Sequence, residues 1–287
     1  MTERGTLMAR TIQIGARNAT FQQIETLKRN REKRHRQALF FVESVHAIEQ
    51  AVAHGWQFEA LCYERGVRLS GWAHDMLSRA SAAYHYELTG ELMAELSDRD
   101  DPCELIALIR MRSNEDALAA MRSAPGEGAR LYIAFDRPQN PGNLGSIIRS
   151  ADAMGASGLI ITGHGADLYD PLCVRASIGA FFALPTAALG GPEDVVAWLN
   201  GFERRPVLIG TSAHATTPVN RLNLRRDVVL AVGNETFGLS KAWKAACDEM
   251  SLIPIHGAAS SLNVACAPSI FIYEALRQRL EAEGGEK

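Results

Sequence analysis

The second half of the chain alternates short, continuously apolar segments with amphipathic ones, and this alternation limits the possible folds more than any other feature. The apolar segments are LYIAFD at 131–136, GLIIT at 158–162, VLIGT at 207–211, VVLAVG at 228–233 and SLIPI at 251–255. Helical spacing is found between and after them, near 143–154, 171–178, 193–200 and 261–280. Strands that are apolar on both faces occur in parallel sheets covered by helices on both sides. We therefore predict an α/β domain with a mostly parallel sheet.

The first hundred residues predict a smaller α/β unit. A helix is expected from Asn18 to about Gln37, because Asn18 is a helix-capping residue and apolar side chains follow at helical spacing. After it the pattern predicts a strand, a helix and three more strands, at 38–43, 44–55, FEALCY, AYHYEL and ELIALIRM. The Gly/Pro/Ser-rich stretch SAPGEGA is typical of a linker. The predicted domains are 1–112 and 129–287, joined by residues 113–128.

The composition excludes several classes of protein. The chain has 287 residues, of which 47% are hydrophobic and 22% charged, as in ordinary globular proteins. It has no apolar run near 18 residues and no apolar core near its first residues, so we expect no membrane association and a cytoplasmic location. The five cysteines include no CxxC pair, and the eight histidines show no metal-ligand spacing. We expect neither a metal site nor a disulfide framework.

The charges are distributed unevenly along the chain. Residues 1–37 hold nine Lys or Arg against three Glu, a surplus of six positive charges, whereas the whole chain carries −3. A basic arm on an acidic body suits the binding of a polyanion, because contacts to phosphates release counterions. The alternative is a solvated helix face without a partner. Charge alone leaves both interpretations open.

In a protein with a parallel sheet, binding and catalytic residues are expected in the loops after the strands, because ligands bind at the carboxyl ends of the strands. The first such loop follows Asp136 and leads into a helix that carries Asn143 and Arg149. It is similar to a nucleotide-binding turn, but GNLGSI does not match the GxGxxG fingerprint, which argues against a nicotinamide-dependent dehydrogenase. A single arginine on a helix is more often a surface or ion-pair residue than part of a site.

Two later loops have small residues that permit close approach to the backbone. Gly233 and Gly238 bracket an Asn-Glu pair, which either admits a flat or bulky ligand or forms a plain turn. In the stretch IPIHGAASSLNVA, at 253–265, residues 257–260 would leave a cavity beside the strand. Asn263 is expected to anchor that loop by bonding to backbone groups.

Three segments in this order carry a family resemblance: NLGSIIRSADA at 143–153, GNETFGL at 233–239 and IPIHGAASSLNVA at 253–265. Together they resemble the signature segments of the SpoU (TrmH) family of RNA 2′-O-ribose methyltransferases, in the SPOUT superfamily. The front half is similar to that family's RNA-binding domain, which resembles ribosomal protein L30e, although the usual Glu-Gly after its first strand reads Glu43-Ser44. Within the family, the chain most resembles the avilamycin-resistance type of ribosomal RNA methyltransferase.

The resemblance implies a fold, a cofactor and a substrate. The fold would be α/β, with a deep trefoil knot in the C-terminal parallel sheet and a smaller N-terminal domain that binds RNA. The cofactor would be S-adenosylmethionine, without a metal, and the protein would be a homodimer. The implied reaction is 2′-O-methylation of a ribose in large-subunit (23S) ribosomal RNA, in antibiotic resistance or in housekeeping. Transfer RNA is the alternative substrate, and a non-catalytic RNA-binding protein of the same fold is the alternative of another class.

The resemblance also implies which residues form the site. Those that match the family's cofactor pocket are Thr211, Gly233, Ile253 and Leu262, and those that match its catalytic and structural positions are Asn143, Arg149, Glu235, Ser261 and Asn263. A guanidinium stays protonated in proteins, so we expect Arg149 to bind the adjacent phosphate and stabilise the developing alkoxide rather than act as a base. Glu235 is expected to bond Asn143 or to orient Arg149.

Three assignments stay open at this point. Ser261 is either a catalytic residue or the cap of the last helix. Asn263 is more readily interpreted as shaping its loop than as touching the substrate. The last helix has apolar residues that form either part of a subunit interface or part of the core: Val264, Ile270, Phe271, Tyr273 and Leu276.

Overall fold

The computed structural model describes residues 9–97, 102–123, 128–259 and 261–284. It divides into two compact units, the first made of Met1–Met111 with Asp167–Ala183, the second of Arg112–Ala166 with Leu184–Lys287. The segment Asp167–Ala183 therefore belongs to the first unit although it lies within the second half of the chain. Parts of three predicted features lie outside the described residues, namely 1–8 of the basic arm, 124–127 of the linker and Ser260 of the third loop.

The elements alternate along the whole described chain. The strands are β1 Arg10–Ile14, β2 Leu39–Val42, β3 Phe58–Glu64, β4 Tyr84–Leu88, β5 Ile106–Arg110, β6 Leu131–Asp136, β7 Gly158–Thr162, β8 Thr186–Leu189, β9 Val207–Thr211, β10 Thr217–Pro218, β11 Val228–Val232 and β12 Glu249–Leu252. The helices are α1 Ala19–Arg29, α2 Arg31–Gln37, α3 Val45–Ala53, α4 Gly71–Arg79, α5 Gly90–Leu96, α6 Asn114–Ser123, α7 Pro141–Ala153, α8 Pro171–Ala176, α9 Ala180–Ala183, α10 Pro192–Leu199, α11 Lys241–Ala246 and α12 Cys266–Gly284, with a 3-10 turn at Val219–Arg221. No helix in the described ranges is both long and apolar enough to cross a membrane.

The first unit has a mixed sheet in the order β1-β4-β3-β5-β2, in which β5 runs antiparallel to both of its neighbours. The apolar side chains of α1, including Phe21 and Leu27, are buried in its core. The single helix predicted from Asn18 to Gln37 is wrong, because the chain forms two helices that meet at Asn30. Asn30 has an extended backbone, and its side chain accepts a hydrogen bond from the N–H of Lys33, so it ends α1 and caps α2.

Two cations of the basic arm are inside the first unit. The Arg34 side chain is 2% exposed and bonds the carboxylates of Asp167 and Asp170 at 2.7 and 3.3 Å. It also donates to the carbonyl oxygens of Leu27 and Lys28. The buried Lys28 ammonium donates to the carbonyl of Leu96 at 2.7 Å. These two side chains stabilise the fold, and the surface charge of the arm is smaller than the sequence predicts.

Aromatic packing holds Asp167–Ala183 in the same unit. The Trp56 indole N–H donates to the carbonyl oxygen of Phe182 at 2.9 Å. The rings that pack together here come from β2, from the residues after α3 and from the inserted segment: Phe40, Trp56, Tyr169, Phe181 and Phe182. The inserted segment is thus part of the core of the first unit and not a surface loop.

The second unit contains a seven-stranded sheet within the described residues, in the order β10-β12-β9-β11-β6-β7-β8. Every pairing in it is parallel. This confirms the predicted α/β fold with a parallel C-terminal sheet, and β6, β7 and β9 have the predicted bounds. The strand predicted at 251–255 is instead Glu249–Leu252, so Pro254 follows the strand.

The last helix begins later than the sequence predicts. It starts at Cys266 and not at Ser261, because Asn263 supplies the hydrogen bonds of its first turn. The Asn263 carbonyl accepts from the N–H groups of Cys266 and Ala267, and its side chain accepts from the N–H of Ala265 at 2.7 Å. The alternative that Ser261 caps this helix is therefore wrong.

Candidate functional site

The carboxyl ends of β9, β11 and β12 surround a cavity of about 320 Å³ in the second unit. Its walls include all four residues predicted to bind a cofactor, Thr211, Gly233, Ile253 and Leu262. Two of the predicted catalytic residues, Glu235 and Ser261, also line it. The structure therefore brings together residues separated by up to about fifty positions in the chain. Asn143, Arg149 and Asn263 are outside the cavity wall.

The walls of this cavity suit a ligand that is largely uncharged. Buried apolar side chains, such as Leu239 and Phe271, alternate with backbone of the turns that follow the strands. Lys244 is the only Lys or Arg among the described wall residues, and Glu235 the only acid. A phosphate group would need several cations or a cradle of N–H groups, whereas a flat heterocycle is held by main-chain groups between apolar side chains.

The turn after β11 is so tight that position 233 requires glycine. A Cβ atom on Gly233 would lie 2.6 Å from the Cα of Gly238 and closer still to the next two backbone atoms. Two hydrogen bonds between Asn234 and Gly238 close the turn, at 3.2 and 2.9 Å. Gly238 has a φ of +64°, which glycine adopts without strain. The packing of the turn against position 233 is by itself enough to require glycine there.

Asn234 and Glu235 connect this turn to the loop after β6. The Asn234 side chain, 5% exposed, donates to the carbonyl of Arg137 at 2.9 Å. The Glu235 carboxylate accepts from the N–H groups of Gln139 at 3.2 Å and Asn140 at 3.4 Å. The expected bond between Glu235 and Asn143 is wrong, because the Glu235 carboxylate is directed to the backbone before their helix. That Glu235 orients Arg149 stays a prediction. The sequence prediction missed Asn234, although an Asn between Gly and Glu in a tight turn is a signal for it.

Helix α7 carries both Asn143 and Arg149, and the two side chains differ in their exposure to solvent. Asn140 caps the helix by accepting a hydrogen bond from the N–H of Asn143 at 3.1 Å, so the helix begins at Pro141. Asn143 is half-buried in the first turn. Arg149 is exposed, and within the described part of the chain its guanidinium has no hydrogen bond or ion pair. It is therefore available to bind an anion.

A hydrogen bond and a half-buried thiol fix the strands beneath the cavity. The Thr211 hydroxyl donates to the carbonyl of Ala231 at 3.1 Å, which joins the ends of β9 and β11. A Cβ on Gly210 would meet the Cys247 sulfur at 2.7 Å, so this thiol packs against β9. Burial raises the pKa of Cys247 to about 12. The thiol is protonated at neutral pH and serves packing, not nucleophilic attack.

Two family models match the two parts of the chain separately. A family model described as the SpoU rRNA Methylase family matches residues 130–273, and one described as the SpoU L30e-like domain matches residues 18–107. A 23S rRNA (uridine(2479)-2′-O)-methyltransferase from Streptomyces viridochromogenes is 41% identical over 273 residues, which are 93% of this chain and 92% of that protein.

Solved structures resemble the fold over nearly the whole length. The SpoU methyltransferase AviRb from Streptomyces viridochromogenes, in complex with the cofactor AdoMet, superposes with a TM-score of 0.85 at 41% identity, over 92% of this chain and 99% of that one. An AdoMet-bound rRNA methyltransferase from Sinorhizobium meliloti superposes with a TM-score of 0.82 at 27% identity, over 93% and 98% of the two chains.

Proposed function

Since this chain belongs to the SpoU rRNA Methylase family, we propose that it methylates the 2′-hydroxyl of a ribose in 23S ribosomal RNA, with S-adenosylmethionine as the methyl donor. The observation that carries the proposal is the position of Thr211, Gly233, Ile253 and Leu262 around one cavity at the carboxyl ends of the parallel strands. The 41% identity to a 23S ribosomal RNA methyltransferase supports this substrate over transfer RNA. The deep trefoil knot expected from the family is part of the proposal.

The cavity fits the adenosyl part of the donor. Ile253 and Leu262 offer apolar surfaces, and the chain around Gly233 and Thr211 offers backbone groups to an uncharged adenine. Glu235 is the acid in the wall and its charge complements a cationic ligand. When bound, S-adenosylmethionine supplies a methyl group that its sulfonium has already activated for transfer.

The residues of the chain then have to align the ribose hydroxyl with the methyl group and stabilise the charge that develops on its oxygen as the proton is lost to solvent. Alignment of the attacking oxygen accounts for a large part of the rate in such a transfer. We assign Arg149 to the phosphate next to the methylated ribose and to the developing alkoxide, because its guanidinium is permanently charged and has no partner among the described residues. One well-placed donor of this kind contributes about 3 to 4 kcal/mol. Asn143 is assigned to the same site, at the start of the same helix.

Asn234 and Glu235 hold this arrangement together. Their side chains fasten the loop at Arg137, Gln139 and Asn140, from which α7 starts. Glu235 therefore acts on Arg149 through the backbone and not by direct contact. Ser261, exposed in the cavity wall, stays a candidate for contact with substrate, and Asn263 is assigned to shaping the third loop.

Two measurements test the proposed function. Isothermal titration should show binding of S-adenosylmethionine, and the absence of binding would favour a non-catalytic RNA-binding protein. Mapping of 2′-O-methyl groups in RNA from cells with and without the protein should show one additional modified ribose in 23S ribosomal RNA. A new methyl group in transfer RNA would establish the alternative substrate, and no new methyl group in any RNA would refute the proposal.

The same cells test the biological role. Ribosomal RNA is a cytoplasmic substrate, so the proposed activity places the protein in the cytoplasm. If the methyl group protects the ribosome from an antibiotic, expression of the protein should raise the concentration of drug needed to stop growth. Unchanged drug sensitivity, with methylation intact, would favour the housekeeping role.

A further inference from the structure

Phe237 is the most exposed large apolar side chain among the described residues, with 76% of its surface accessible. It does not stand alone, because the exposed side chains of Ile255 and Leu262 line the same cavity from the loop after β12. Scattered apolar residues on a surface need no explanation, but three around the mouth of one cavity form a patch with an expected partner.

The ring of Phe237 is presented on a rigid turn. Its N–H donates to the Asn234 side chain at 3.2 Å, and the N–H of Thr236 donates to the same oxygen at 2.9 Å. The paired backbones of Asn234 and Gly238 close the turn behind it. These bonds fix the backbone that carries the ring, so a partner binds without ordering the turn first, which is the advantage of preorganisation.

The chemistry next to the ring favours a nucleic-acid base as the partner. Lys244 also lines the cavity, and its exposed ammonium has no hydrogen bond or ion pair within the described residues. An aromatic ring and a cation without a partner among the described residues, both in the wall of one cavity, fit an unstacked nucleotide, whose base has a π face and whose phosphate is negative. The ring also adjoins the cavity where the ribose must meet the methyl donor.

We propose that Phe237 is the stacking platform for an unpaired base of the ribosomal RNA, at the nucleotide that is methylated. This inference rests on the proposed function and deepens it. The ring face contacts the base while the 2′-hydroxyl of the same nucleotide is oriented toward the cavity. Phe237 is then a residue of substrate recognition, and the interaction requires an aromatic face and not only apolar surface.

Substitutions of Phe237 distinguish a requirement for an aromatic ring face from a requirement for apolar surface alone. Phe237→Ala and Phe237→Leu should both raise KM for the RNA roughly 5- to 150-fold, the range that corresponds to loss of one stacked base. Phe237→Tyr and Phe237→Trp should keep KM within about threefold of the original value, because each retains a ring face. Val67→Ala, at an exposed apolar residue outside the cavity wall, is the control and should behave like the original protein.

An RNA fragment that lacks only the base of the methylated nucleotide makes the test direct. This fragment keeps the ribose and its 2′-hydroxyl, so it should bind the original protein as weakly as the complete fragment binds Phe237→Ala. It should lose no further affinity with Phe237→Ala, because the two changes remove the same contact. Additive losses, or full RNA affinity of Phe237→Ala, would overturn the inference while leaving the methyltransferase intact.

Two other readouts identify what Phe237 does if the inference fails. A fall in affinity for S-adenosylmethionine with Phe237→Ala would mean that the ring covers the cofactor. A change in sedimentation mass would mean that it packs against a second copy of the chain. Absence of methylation by the unaltered protein would refute the proposed function itself, which is a different result from any of these.

Discussion

Arg34 and Arg149 are both arginines on helices, but their surroundings give them different tasks. Arg34 is buried and satisfies two carboxylates and two carbonyl oxygens. Arg149 is exposed and unpaired within the described residues. The carboxylate partners of Arg34 are more than 130 positions away in the chain, so local sequence cannot distinguish the two arginines. Burial and pairing, which only the fold determines, decide which cation can bind RNA.

Arg149→Lys tests the importance of the guanidinium. Lysine keeps the positive charge but loses the planar fork that contacts two oxygens at once. We expect the rate of a single turnover to fall about 100-fold or more, the usual effect of losing one such donor. Affinity for S-adenosylmethionine should not change, because Arg149 is outside the cavity wall. Near-normal turnover of the lysine variant would show that charge alone suffices.

Gly233→Ala tests the tight turn after β11. The added methyl group would overlap backbone atoms of Gly238 and Leu239, which cannot move as a side chain can. We expect a loss of about 1 to 3 kcal/mol in the free energy of unfolding, as in other overpacked sites, together with loss of cofactor binding. Urea unfolding and calorimetric titration measure the two effects.

A glycine without close neighbours supplies the control for this substitution. A Cβ on Gly71, in the first turn of α4, would meet no atom within 4 Å. Gly71→Ala should leave stability unchanged or raise it slightly, because alanine has the higher helix propensity. Equal effects of the two substitutions would show that the turn after β11 tolerates a side chain.

The residues of the site were predictable only in part. Thr211, Gly233, Ile253 and Leu262 follow from the family resemblance, and the structure places all four around one cavity. Composition and spacing alone would have left each loop an ordinary turn. The link from Asn234 to Arg137 could not be predicted, because it depends on β11 lying next to β6, and strand order is not a local property of the sequence.

Among the elements, buried strands were predicted best. β6, β7 and β9 have continuous apolar runs ended by Gly, Asp or polar residues, and their bounds match the prediction. The pattern does not predict β1, β8 or β10, which lie at sheet edges where polar side chains are tolerated. Helix ends were predicted less well, because capping by Asn30 and Asn263 depends on backbone geometry as well as residue type.

Substitution of Asn263 tests whether its task is to begin α12. Asn263→Ala removes the acceptor for the N–H of Ala265 and should lower the free energy of unfolding by about 1 kcal/mol, the usual value for a lost cap. Asn263→Ser and Asn263→Asp keep a short acceptor and should restore most of that stability. If these two variants are stable but inactive, Asn263 has an additional contact with substrate.

Substitution of Arg34 tests the anchoring of Asp167–Ala183 in the first unit. Arg34→Met keeps much of the volume but leaves the buried Asp167 carboxylate without its main partner. Removal of one member of a buried ion pair destabilises a protein by about 3 to 5 kcal/mol. Arg36→Met, on the exposed side of α2, is the matched control and should unfold like the original protein. Equal stability of both variants would show that aromatic packing alone holds the segment.

Helix α12 has more apolar surface than its own unit covers. Phe271, Ile272 and Ala275 are buried on one side of the helix. Ile270, Tyr273 and Leu280 are exposed at spacings of three and seven residues, which places them in one stripe on another side. Of the residues predicted for an interface, Phe271 belongs to the core. The exposed stripe is the surface that we assign to contact with a second copy of the chain.

We therefore predict that the chain forms a homodimer. The chain has a mass of 31.3 kDa, so sedimentation of the protein should give about twice that value. Ile270→Glu combined with Tyr273→Glu should yield monomers, because two buried charges without partners oppose association. Val67→Glu replaces an apolar residue of the first unit whose exposure lies between those of Ile270 and Tyr273, and it should leave the dimer intact. A protein that sediments at the monomer mass, or whose dimer survives both glutamates, would exclude this stripe as the subunit interface, since a C2 contact brings the same stripe from both copies together.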